Sequence, residues 1–146
     1  EMTASMMLKV TLDGELLDER GAEYNNAGHL IHSAVLKARP DANFVLHTHS
    51  RAGTAVSAMK CGLLPISQHA NIIRDAVCYH EYAQVTSDEA ECERLGSDLG
   101  DKNIMVMHNH GLMTCGRTAS TDSTPSCGTD SGRSANGFSP PHRRSI

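Results

Sequence analysis

The feature that most constrains this chain is the run Phe44-Val45-Leu46-His47-Thr48-His49-Ser50. Aromatic, aliphatic and β-branched residues at Phe44, Val45, Leu46 and Thr48 favour an extended strand. Side chains two apart on a strand share a face. His47 and His49 then stand side by side, with Val45 behind them. Two imidazoles on one face can chelate one metal ion, and the strand orients them in advance. Ser50 is placed to cap a helix running from Arg51 to about Lys60. The pair therefore lies where a strand runs out, a common place for a site to open. Ordinary surface or core histidines also show this spacing, so the rest of the chain has to decide.

A chain of 146 residues has room for one domain with a single core. Its net charge of −4 is built from mixed signs and carries no basic footprint for nucleic acid or an anionic membrane. No apolar run reaches bilayer-spanning length, and no signal pattern opens the chain. The five cysteines (Cys61, Cys78, Cys92, Cys115 and Cys127) are scattered and form no Cys-x-x-Cys pair. They read as free thiols in a reducing, cytoplasmic setting. Nine histidines is a high count for this length and turns attention to metal chemistry.

The pattern predicts a strand over Met6–Leu12, a turn at Asp13-Gly14 and a returning strand from Leu16-Leu17. Gly28–Ala38 reads as a helix with Leu30, Ile31, Ala34, Val35 and Ala38 on one face, stopped by Arg39-Pro40. After the His-x-His strand and its helix, Leu63–Ile66 with Pro65 reads as an edge strand or extended connection. Ser67–Arg74 is ambiguous. Ala76–Tyr82 and Gln84–Val85 read as short strands. Thr86 and Glu89 resemble a capping box for a helix that Gly100 closes. Asn103–Met107 is a strand, followed by His108-Asn109-His110-Gly111 and a short apolar stretch, Leu112–Thr114. From Thr118 onward 17 of 29 residues are Ser, Thr, Gly or Pro, too polar to offset ordering entropy, so a disordered tail is expected over 119–146.

The second histidine cluster lies 61 residues after His49, again where a strand meets a turn. Two neighbouring strands could bring His47, His49 and His110 to one point. Three imidazoles with an open position suit a catalytic rather than a closed structural zinc site. The alternative is that His108 and His110 are merely polar strand-end residues. His108 reads as such a residue, with a fourth ligand or a donor to a ligand as the sharper possibility. His32 reads as a structural helix histidine, and His69 and His80 as surface residues. Tyr79 and Tyr82 read as packing side chains that could also reach a neighbouring subunit. Met105, Met107 and Met113 read as core, and Lys9 and Arg117 as solvated charges.

These motifs together resemble a known family. His47-Thr48-His49-Ser50, Gly53-Thr54-Ala55-Val56-Ser57-Ala58 and Asn109-His110-Gly111-Leu112 occur in the order found in the class II aldolase/adducin domain. Ala34–Asp41 is similar to the helix before its His-x-His strand. Met59–Ser67 is similar to the adducin branch and its bacterial relatives. The resemblance implies an α/β fold of three layers, α/β/α, around a mainly antiparallel sheet. It spans roughly Met6 to Thr118, so the domain is expected over 1–118, cut short at both ends. It also implies that His47, His49 and His110 bind Zn²⁺, or another divalent ion such as Mn²⁺, Co²⁺ or Fe²⁺. The implied activity is a carbon–carbon lyase or epimerase reaction on a small sugar-like hydroxy-carbonyl compound through a metal-stabilised enediolate. A homo-oligomer, a tetramer in many members, is implied as well.

Three departures narrow this. The aldolases carry a catalytic glutamate four residues before the helix histidine that matches His32, and here that position is Gly28. Adducins have glycine in a similar Asn-x-Ala-Gly context, as in Asn26-Ala27-Gly28. The family's Ser-Gly-Asn phosphate loop would lie upstream of Met2. After Thr118 the family continues as an amphipathic helix, whereas a Ser/Thr/Gly/Pro tract follows here, and the expectation is that Ala119–Ile146 comes from a reading-frame shift or a gene-prediction artefact. The chain is thus read as a metal-binding member of the family. The alternatives are a non-catalytic adducin-like module with actin or spectrin partners, and an inactive fragment.

Overall fold

The His-x-His strand forms where the pattern places it, at one edge of a four-stranded sheet. We describe a computed structural model over residues 3–18, 20–82 and 89–119. The strands are β1 (Phe44–Thr48), β2 (Val77–His80), β3 (Ile104–Met107) and β4 (Gly111–Gly116), in the order β1-β4-β3-β2. β4 runs antiparallel to both β1 and β3, and only β2 and β3 are parallel. The sheet is therefore mainly antiparallel.

Register decides what each face holds. Val45 pairs with Cys115 and His47 with Met113, so His47 shares the face that carries the buried Met113 and Cys115. Helices α1 (Asn26–Ala38) and α4 (Glu89–Leu99) cover this face. Ile31, Ala34 and Val35 of α1 meet Leu95 and Leu99 of α4 above Met105, Met107 and Met113. That three-and-four spacing is the apolar stripe read from the sequence. Helix α2 (Arg51–Ser57) lies on the opposite face, where a Cβ at Gly53 would come within 2.7 Å of the Leu112 side chain. A small residue is needed for that approach. Helix α3 (Gln68–Ile73) follows.

Side chains close the helix starts as local chemistry predicts. Asn25 accepts from the Gly28 amide, Ser50 from Gly53 and Ser67 from Ala70. Ser67 thereby turns the ambiguous 67–74 stretch into helix. Gly100 ends α4 with φ +52°, as expected of a C-terminal glycine.

Elsewhere the elements fall short of expectation. Met6–Leu12 forms no continuous strand. A 3-10 turn spans Ala4–Met6, and the hairpin is a single antiparallel bridge, Val10 to Leu16, around Gly14. Among the described residues no further strand pairs with it, and Met6, Met7, Leu12 and Leu17 stay exposed. Helix α2 stops at Ser57 rather than Lys60, because Met59 and Gly62 enter a turn that uses their amides. Leu63–Ile66 is an irregular connection around Pro65. The Gln84–Val85 strand, the Thr86 cap, Cys127 and the tail from residue 120 lie outside the described residues. No disulfide joins the four described cysteines, and among the described residues no helix is long and apolar enough to cross a membrane.

Candidate metal centre

His47 occupies the fourth position of β1, and His49 follows one residue beyond the strand. His110 comes from the turn between β3 and β4. That turn closes through the His110 amide on the Met107 carbonyl (3.0 Å), and Asn109 supplies its left-handed residue (φ 56°). Gly111 permits a close approach, since a Cβ there would lie 2.5 Å from the Thr48 carbonyl oxygen. This contact draws the His110 turn against the end of β1.

The three rings converge. His47 Nε2 lies 2.7 Å from His49 Nε2 and 3.1 Å from His110 Nε2. Ring centroids are 4.6 to 4.8 Å apart. His47 Nδ1 sits 3.0 Å from the Leu112 carbonyl. A carbonyl only accepts, so Nδ1 carries the proton and a neutral ring presents Nε2 as a lone pair. Burial, then the charges of His110 and His49, pull His47 from 6.5 to about 4. Burial and His49 lower His110 in the same direction. The site thus favours neutral, ligand-ready imidazoles. Among the described residues these three are the one group of His, Cys, Asp or Glu able to hold a metal ion, with donor atoms all within 4.8 Å of one another. One N–H···N bond can use one lone pair, whereas the convergence of all three nitrogens fits a cation.

Other histidines stay outside the cluster. His32 Nδ1 bonds the Gly28 carbonyl at 2.6 Å, and its ring stands 6.4 Å from that of His47. It is a helix histidine bordering the site. His108 points away from His110, with Nδ1 toward the Ser57 carbonyl and its ring stacked on Tyr79. His69 is exposed on α3. His80 contradicts its surface reading. It is 1% exposed and lies between Glu91 and Asp98 of α4. Tyr82 was read as packing, and its ring does pack, edge-on to His110 at 3.9 Å. Nothing in the local sequence marks either contact. The 720 Å³ cleft between α1, α4 and the hairpin, lined by Tyr24, His29 and Lys37 among others, contains none of the three clustered histidines.

The model of the Class II Aldolase and Adducin N-terminal domain matches residues 1–121. Alpha-adducin of Mus musculus is 46% identical over 121 residues, covering 81% of this chain and 16% of alpha-adducin. An aldolase II superfamily protein from Pseudomonas syringae has a similar structure, with TM-score 0.73 and 51% identity over 76% of this chain and 45% of that one. L-fuculose 1-phosphate aldolase from Glaciozyma antarctica PI12 gives TM-score 0.63 and 29% identity, covering 77% of this chain and 43% of that one. The chain spans about half the length (46% and 45%) of two bacterial curated relatives.

Proposed function

The chain belongs to the class II aldolase and adducin N-terminal domain family, and from that premise we propose that it binds a divalent cation, zinc first, through His47, His49 and His110, and acts on a small hydroxy-carbonyl compound. The observation that carries this reading is the convergence of three Nε2 atoms with no carboxylate among them. Imidazole donors favour Zn²⁺ in the set Zn²⁺, Mn²⁺, Co²⁺ and Fe²⁺. A divalent ion bound there supplies Lewis-acid stabilisation of the negative charge that develops beside a carbonyl when a proton or a carbon–carbon bond is lost.

The chain's own residues set the conditions. Leu112 fixes the His47 tautomer. Tyr82 packs edge-on against one side of His110, while the exposed His49 leaves a side from which a small molecule can enter. Gly28 brings no acid–base group to the first turn of α1. A second reading, a non-catalytic adducin-like module with cytoskeletal partners, draws on that glycine. A Cβ at Gly28 would meet nothing closer than the Asn25 side chain at 3.7 Å, so packing does not demand glycine there.

Zinc content of the purified full chain, beside a His49→Ala variant, tests the metal reading. We expect about one zinc per wild-type chain and a large loss in the variant. Equal content in both would sink the ligand assignment. A flat response across a panel of aldol substrates from the zinc-loaded protein would move the function to the second reading.

A further inference from the structure

The cluster around His80 lies apart from the three converging histidines. His80 is the last residue of β2, and its side chain is buried. Its Nε2 lies 2.9 Å from Glu91 Oε1, and its Nδ1 lies 2.7 Å from Asp98 Oδ2. Glu91 and Asp98 are seven residues apart on α4, two turns along the same face. Arg94, on the same helix, pairs with the second oxygen of Glu91. Carboxylate oxygens only accept, so filling both contacts takes an N–H on each ring nitrogen. One imidazole thus bridges two turns of α4 to the end of a sheet strand.

Two routes lead from that bridge to His110. The His80 carbonyl accepts the His108 amide at 2.9 Å, which holds the start of the turn bearing His110. Tyr82, two residues beyond His80, lays its ring 3.9 Å from that of His110, at 70°. Tyr82 in turn packs against the buried core. Helix α4 contributes no side chain to the three-histidine cluster, yet through His80 it fixes the segment on which one member rests.

We propose that His80 is a positioning residue for His110, clamped by Glu91 and Asp98 so that the Tyr82 ring and the β3–β4 turn hold the His110 imidazole toward His47 and His49. Its consequence for metal affinity rests on the zinc reading above, while its geometry does not. Glutamine at 80 has a single donor nitrogen and cannot place one at both carboxylates, so the clamp opens at one end.

The test uses the full chain and two readouts. The first, on zinc-free protein, is the NOE between the Tyr82 ring and the His110 ring. The second is zinc affinity by competition with a chromogenic chelator. In His80→Gln we expect the Tyr82–His110 NOE to be lost or much weakened, while the Gly53–Leu112 contact between α2 and β4 persists. Zinc affinity should fall about tenfold, the lower end for a residue that orients a ligand. Asp98→Asn alters a half-exposed partner and should show both effects to a smaller degree. Should His80→Gln not fold, Asp98→Asn decides by the same two readouts. Folded variants that keep the NOE and bind zinc within twofold of wild type would overturn the proposal. If the wild type binds no zinc but the NOE still responds to His80→Gln, the metal reading fails and the positioning role stands.

Discussion

Burial and two neighbouring imidazoles hold His47 at about 4, well below its ordinary 6.5. In zinc-free protein this has a definite sign. Above pH 6.5 folded and unfolded chains both hold a neutral ring, and the stability is fully present. Between 6.5 and about 4 the unfolded chain takes up a proton that the folded chain refuses, so stability falls as pH drops through that window. Thermal unfolding in chelator, from pH 7.5 to 4.5, should give a flatter profile for His47→Gln than for wild type. Identical profiles would mean that His47 is not desolvated. At this scale the sequence was informative about His47 and His49, because a period of two on a strand fixes which side chains share a face. It misplaced His80 on the surface and gave Tyr82 as packing without its partner His110. A strand-end histidine has the same local sequence whether solvent or a helix covers it, and the matching carboxylates, Glu91 and Asp98, became its partners only once α4 docked on β2.

At the scale of elements, caps and stop signals carried most of the information. Asn25, Ser50 and Ser67 each bond an amide in the first turn of their helix. The N-terminal strand was overpredicted because alternation describes a strand only if something pairs with it, and the hairpin makes one bridge. Helix α1 offers a direct check on its local energetics. Gly28 is in its first turn without a positive φ, and a Cβ there has room. Glycine costs a helix roughly 0.5–1 kcal/mol relative to alanine. Gly28→Ala should therefore raise the unfolding free energy by about that much in denaturant titrations. A loss of stability would show that glycine at 28 serves the fold in some other way.

At the scale of the whole molecule, the site depends on topology. His49 and His110 are 61 residues apart, and they meet because β4 returns antiparallel against β1. No periodicity specifies which strands become neighbours, so strand-end positions offered the convergence as one possibility and the family resemblance strengthened it. The layered arrangement also leaves Phe44 and Leu46 of β1 about half exposed, on the sheet face opposite His47. Among the described residues the topology brings three imidazoles together with no cysteine beside them, and the proposed ligand set is those three nitrogens. Zinc K-edge X-ray absorption on the loaded full chain reads that set directly. The account predicts three imidazole nitrogens at about 2.0–2.1 Å and no sulfur. A sulfur shell at about 2.3 Å, or fewer than three imidazoles, would contradict it.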